Sequence, residues 1–105
     1  MTILRVCYKY GARFDQDYYV SKHLPLAGTV FGPHGLKNVE IMRVTATPDG
    51  SKPPYQLIFS AYFESAAGLQ NAMQSPQMGQ VLADVQNYYD GIPDVLIGEL
   101  VALPA

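Results

Sequence analysis

The sequence predicts an α+β domain of the ferredoxin-like kind, in the order β-α-β-β-α-β, with a four-stranded antiparallel sheet and both helices on one face. Three observations carry that prediction. Four runs rich in β-branched and aromatic residues, at 3–10, 36–47, 55–64 and 95–103, show the alternation of strands. Two intervening stretches, from about residue 16 to about 27 and from residue 65 onward, place apolar residues at helical spacing. The length of 105 residues suits one domain, spanning 1–105.

The first run, ILRVCYKY, puts Leu4, Val6, Tyr8 and Tyr10 on one face and Ile3, Arg5, Cys7 and Lys9 on the other. GARF then reads as a turn. Asp15 is suited to cap a helix, because its carboxylate can accept from the free amides of the first turn. Asp17 places negative charge where the helix dipole favours it. Phe14 and Tyr19 stand at the two positions of a hydrophobic staple. Pro25 removes one intrahelical hydrogen bond and ends or kinks the helix.

GTVFGPHG, residues 28–35, reads as a loop, having three glycines and a proline in eight residues. LKNVEIMRVTAT forms the second strand, with a slip of phase near Ile41 that suggests a bulge. PDGSKPP is a long hairpin loop leading to YQLIFSAYFE. There Leu57, Phe59, Ala61 and Phe63 share one face, and Ile58, Ser60 and Tyr62 the other. Ser65 caps the second helix, with Leu69, Ala72 and Met73 on its apolar stripe. Ser75-Pro76 restarts it, serine as N-cap and proline in the first turn, and Met78, Val81, Leu82 and Val85 continue the stripe. NYYDGIPD is a loop before the last strand, VLIGELVAL.

Charged residues make up 15 % of the chain and hydrophobic ones 49 %. So few charges leave too little polar surface to cover a small domain. The last strand is apolar on both sides, with Val95, Ile97 and Val101 against Leu96, Leu100 and Ala102. A homodimer whose bare sheet faces meet, enclosing a partly apolar cavity, is therefore expected. The net charge is −2 and the seven basic residues are scattered, which argues against nucleic acid as a partner. No apolar run approaches the roughly 20 residues that span a bilayer. No signal-peptide pattern is visible and the one cysteine allows no intrachain disulfide, so a cytoplasmic location is expected.

Chemistry-bearing residues are few. At 100° per residue, Tyr19, His23 and Leu26 share a helix face. Histidine titrates near neutrality, so His23 is a candidate general acid or base. It could equally be a packing residue, bonded to a carbonyl freed by Pro25 and favoured in its charged form by the helix dipole. His23 and His34 are the only histidines, and no third ligand presents itself, so no metal is expected. Cys7 reads as a small buried hydrophobe in mid-strand. No nicotinamide or flavin fingerprint occurs, so no cofactor is expected, and GPHG lies outside the strand-to-helix setting of a phosphate loop. The eight tyrosines could line a site for a flat apolar ligand, those on the bare sheet face above all.

GARFDQDYYVSKHLPL resembles the N-terminal signature of the ethyl tert-butyl ether degradation (EthD) family. That signature has an aromatic residue, an acidic first turn, Tyr-Tyr and then His-x-Pro-Leu. Here those are Phe14, Asp15, Asp17, Tyr18, Tyr19, His23, Pro25 and Leu26. DVQNYYDGIPDVLIGEL is similar to a second family block, through Asp84, Val85, Asn87, Tyr88, Pro93 and Glu99. His34 lies outside the pattern. The resemblance implies a dimeric α+β barrel of ferredoxin-like subunits. Related barrels include cofactor-independent monooxygenases, polyketide cyclases, dehydratases, muconolactone isomerase and haem-degrading enzymes, and fold analogy does not choose among them.

Three readings follow. In the first, the chain is a cofactor-independent enzyme acting on an apolar or aromatic small molecule by cyclisation, dehydration, isomerisation or oxygenation. His23, Tyr18 and Tyr19 are its catalytic candidates, and Tyr62, Asp84, Asn87 and Tyr88 would bind substrate. In the second, the cavity carries a hydrophobic metabolite within a degradation pathway. In the third, His23 and its tyrosines only close a helix end, with no cavity.

Overall fold

The computed structural model describes residues 1–104. Its sheet has four strands: β1 (Thr2–Lys9), β2 (Leu36–Arg43), β3 (Tyr55–Phe63) and β4 (Asp94–Glu99). The order across the sheet is β2-β3-β1-β4, and every neighbouring pair is antiparallel. This is the expected ferredoxin-like arrangement. The helices are α1 (Gln16–Tyr18), α2 (Leu24–Phe31), α3 (Ala66–Met73) and α4 (Met78–Asp84). A π-helical turn, Tyr19–His23, joins α1 to α2.

The pairing register shows why one face of the sheet takes the helices. Val6 stands opposite Phe59 on one side and Val95 on the other, and Leu4 opposite Ala61 and Ile97. Leu4, Tyr8, Leu57, Phe59, Ala61 and Phe63 are all buried. The helices roof these two central strands with Ala27, Val30, Phe31, Leu69, Ala72, Met78 and Val81. The outer strands are less covered: Val39, Ile41, Val95, Leu96 and Ile97 are exposed. Apolar side chains thus reach solvent on both sides of β4, as the composition led one to expect.

Local chemistry sets the helix starts. Asp15 accepts the Tyr18 amide at 3.1 Å, and Ser65 accepts the Gly68 amide at 3.1 Å. The Phe14 and Tyr19 rings pack with centroids 5.0 Å apart, completing the staple.

Several boundaries differ from expectation. Residues 28–34 are not a loop: α2 runs to Phe31 and a 3-10 turn covers Gly32–His34. A helical glycine costs about 1 kcal/mol relative to alanine. Burying a residue such as Phe31 returns about 1.5–3 kcal/mol, and its ring packs edge-on against Phe63 at 5.6 Å. Packing therefore outweighs propensity, and the helix yields only at Gly35, whose φ of 85° turns the chain into β2. The irregularity in β2 lies between Leu36 and Asn38, not near Ile41. β2 stops at Arg43 and β4 at Glu99, short of the expected 47 and 103. Ser75 does not cap α4: its hydroxyl donates back to the Ala72 carbonyl, and α4 begins at Met78 without a side-chain cap. No described helix is long and apolar enough to cross a membrane.

Candidate functional site

The site begins with the π-helical turn. Tyr18 and His23 are five residues apart, which in an α-helix would set them about 140° apart around the axis. Here the Leu24 amide bonds the Tyr19 carbonyl, five residues back. The widened turn has a local cause in Pro25, whose ring crowds the carbonyl four residues earlier and donates nothing to the ladder. Its effect is to bring Tyr18 and His23 to one side, while His23 remains stacked on Tyr19 at 5.4 Å and 18°.

Both residues meet Asp84, at the end of α4. The Tyr18 hydroxyl donates to Oδ1 at 2.6 Å, and His23 Nδ1 lies 2.9 Å from Oδ2. Asn87, in the 3-10 turn after α4, donates to Oδ1 at 2.9 Å. The other ring nitrogen of His23 is also held: Nε2 is 3.1 Å from the Tyr88 hydroxyl. Tyr88 in turn lies 2.8 Å from the Tyr8 hydroxyl, on β1. The result is a continuous line of Asp84, His23, Tyr88 and Tyr8 across the interior.

The segment that supplies Tyr88 is an expected loop, but it is firmly tied. The Asp15 amide donates to the Tyr88 carbonyl at 2.8 Å, and the Asp90 amide to the Arg13 carbonyl at 3.1 Å. Tyr89 accepts the Lys9 amide through its hydroxyl at 3.0 Å. Tyr8 sits among Phe14, Tyr19, Tyr88 and Tyr89, with ring centroids 5.0–5.7 Å away and edge-on. Such contacts add about 0.5–1.5 kcal/mol per pair beyond burial. They also fix the hydroxyl positions on which the hydrogen-bond line depends.

Charge can be assigned along this line. Burial pushes Asp84 up, but the hydrogen bonds from Tyr18, Asn87 and His23 outweigh it and hold the carboxyl below its ordinary value. Burial pushes His23 down, and Asp84 only partly offsets this. This is opposite to the charged form that the helix dipole alone would favour. Burial also raises the Tyr8, Tyr19 and Tyr88 phenols, so all three keep their protons at neutral pH. The ring therefore bonds a carboxylate and a phenol rather than a backbone carbonyl freed by Pro25.

A cavity of about 90 Å³ lies against this line, between the helices and the sheet. Its apolar walls include Leu4, Val6, Phe59, Met73, Val81 and Val95, and its polar side is formed by Tyr8, Tyr19, His23 and Tyr88. It lies on the helix side of the sheet, within one chain, and not on the bare face. Tyr62 is apart from it: that residue lies on the opposite face with Arg5, Ile58 and Ser60. Tyr18, Tyr19, His23, Asp84, Asn87 and Tyr88 are brought together. Tyr8 joins them without having been singled out by sequence. Its place on the same strand face as Leu4 and Val6 was visible, but nothing distinguished it from a core tyrosine.

A four-stranded antiparallel sheet in the order β2-β3-β1-β4, with its helices on one face, is the fold class of the dimeric α+β barrel proteins. The EthD domain model matches residues 12–92, and the chain belongs to the EthD family. An EthD-like protein from Ralstonia eutropha is similar in structure, with a TM-score of 0.86 and 27 % identity, over 99 % of this chain and 95 % of that one. An EthD family protein from Bacillus halodurans has a TM-score of 0.78 and 23 % identity, over 96 % and 99 % of the two chains. SnoaB, a cofactor-independent oxygenase from Streptomyces nogalater, shares the fold at a TM-score of 0.68 and 11 % identity, over 99 % and 96 %. No curated protein matches the sequence.

Proposed function

We propose that this protein is a small homodimeric enzyme that performs acid/base chemistry, without a cofactor, on a small apolar or aromatic molecule. One observation carries this reading: both nitrogens of a buried His23 are held, by Asp84 and Tyr88, at the wall of an apolar cavity. A neutral imidazole backed by a carboxylate can accept a proton and share the resulting charge, a step worth about 10²–10⁴-fold in rate. SnoaB is named as a cofactor-independent oxygenase, which supports catalysis without a cofactor on this fold. The ligand is small, because a cavity of about 90 Å³ is well below the roughly 300–1,000 Å³ usual for ligand sites.

The exposed apolar residues on both sides of β4 support the homodimer. Native mass spectrometry of freshly purified protein tests dimer and retained ligand together. Turnover of small aromatic and enolisable compounds by the protein and by His23→Ala then tests the chemistry. A folded His23→Ala protein with unchanged turnover would remove the acid/base role.

A carrier role shares the same cavity and is favoured by the apolar residues that make up most of its walls. It requires no change in His23 on binding. A His23 titration by NMR that no ligand displaces would favour carriage.

A further inference from the structure

Part of the gathered site stands outside the cavity. Tyr19, His23 and Tyr88 line it, whereas Tyr18, Asp84 and Asn87 do not. These last residues lie behind the imidazole, on the side of Nδ1. A ligand in the cavity meets His23, and whatever Tyr18 contributes there passes through Asp84.

The two oxygens of Asp84 are divided between partners. Oδ2 faces His23 Nδ1 at 2.9 Å, while Oδ1 takes the Tyr18 hydroxyl at 2.6 Å and the Asn87 amide at 2.9 Å. Asn87 also donates to the Tyr18 oxygen at 3.3 Å, so that hydroxyl has a donor of its own and gives its proton to Asp84. The Tyr18 bond is the shortest of the set, and short bonds to a carboxylate are the strong, charge-assisted ones. Each such donor stabilises the anion, and so weakens it as an acceptor for its remaining partner.

We infer that Tyr18 is a positioning residue that sets the basicity of His23 through Asp84, keeping the imidazole neutral at rest although a carboxylate touches it. The inference rests on the acid/base reading of His23 and deepens it. A carboxylate beside an imidazole favours the imidazolium. Unopposed, that attraction would leave His23 protonated before any ligand arrives, and a base must begin without its proton. Burial of His23 opposes the attraction, and the bonds that Tyr18 and Asn87 make to Asp84 weaken it at its source.

The polar groups facing the ring are Asp84 from α4, Tyr88 from the segment after it, and Tyr19 stacked from the same π-helical turn. Burial keeps both phenols protonated, so among these groups Asp84 alone carries a full charge. What weakens Asp84 as an acceptor therefore acts on His23 directly. The adjacent tyrosines serve opposite sides of the ring's surroundings: Tyr19 stacks on it at the cavity wall, and Tyr18 holds the carboxylate behind it.

Tyr18→Phe removes the hydroxyl and keeps the aromatic ring. Nitrogen NMR of labelled His23, followed across pH, should show the imidazole of this variant binding its proton at least about threefold more tightly than in the parent. Monofluoro- and difluorotyrosine at position 18, which are stronger donors, should weaken proton binding by His23 in the order of their acidity. These two variants serve if Tyr18→Phe fails to fold. A residue that merely braced the helix would lower the melting temperature of Tyr18→Phe and leave the His23 titration in place; that result, or a flat fluorotyrosine series, would overturn the inference. So would weaker proton binding by His23 in Tyr18→Phe, which would mean that the hydroxyl aims Asp84 at the ring and does not weaken it. Turnover separates this from the reading beneath it: shifted titrations together with unchanged turnover in a folded His23→Ala protein would uphold the coupling and remove the acid/base role.

Discussion

Tyr18 and His23, five residues apart on one helical segment, bind the two oxygens of a single carboxylate, at 2.6 Å and 2.9 Å. An uninterrupted α-helix would point them in different directions. The π-helical turn before Pro25 removes that difference, and Asp84 becomes the hub that ties the first helical segment to α4.

Asp84→Asn should reverse the hydrogen-bond line. Tyr18 and Asn87 both donate to Oδ1, so the amide oxygen of the new side chain will take that place. Its NH₂ then faces Nδ1, which must become the acceptor. Nitrogen NMR should show the proton moved to Nε2, and folding stability should fall by about 1.5–3 kcal/mol. In the parent the Asp84 carboxylate can only accept, which puts the His23 proton on Nδ1, and an unchanged tautomer in the variant would contradict that.

Stability should decline with acid from the histidine range downward. His23 is lowered from 6.5, so between its folded value and 6.5 the unfolded chain holds more protons, and stability rises with pH across that window. Asp84 is lowered from 3.8, so its contribution is complete above 3.8 and is lost as pH falls through its folded value. Melting temperatures measured from neutral pH downward should fall in two stages, and His23→Gln should lack the first. A melting temperature level from pH 6.5 down to the carboxylate range would refute the assignment.

Tyr18→Phe removes one donor from Asp84 and leaves the ring in place. Because Tyr18 is partly exposed, the variant should lose less stability than removal of a buried bond to a charged group would cost. Denaturant unfolding checks this. The Asp84 carboxyl should also titrate at a higher pH than in the parent, since one of the bonds that lower it is gone.

Gly68→Ala should destabilise the protein, although alanine is the better helix former by about 1 kcal/mol. A Cβ on Gly68 would overlap the backbone carbonyl of His34, which cannot move aside as a flexible side chain could. The overlap should cost about 1–3 kcal/mol. A variant that melts higher than the parent would show that the 3-10 turn and α3 do not meet this closely.

Much of the fold was legible because its signals are local. Asp15 and Ser65 announce helix starts, and strict alternation along 57–63 announces a half-buried strand. The extent of α2 was hidden because Gly28 and Gly32 speak for a loop, whereas the burial of Val30 and Phe31 is decided by strands distant in sequence. The gathering of Tyr18, His23, Asp84 and Asn87 was half visible: the residues stood out, but the π-helical turn that aligns them depends on a backbone register that helical spacing does not express. Tyr8 was hidden altogether. Its ring obeys the pattern of the core, and only the partner of its hydroxyl, 80 residues away, sets it apart.

The placement of β1 bears on how the chain acquires its structure. This first strand lies in the interior of the sheet, and its Thr2 is paired with Glu99 of the last. On a ribosome, β1 therefore emerges long before one of its two neighbours exists. The hairpin of β2 and β3 can form early, but the edge of β1 that β4 will occupy stays open until Asp94–Glu99 have been made. Contacts of such long sequence separation slow folding, and an unpaired strand edge invites association in the meantime. The Asp84–His23–Tyr88–Tyr8 line, which needs β1 and the segment before β4 together, belongs to the last stage of that assembly.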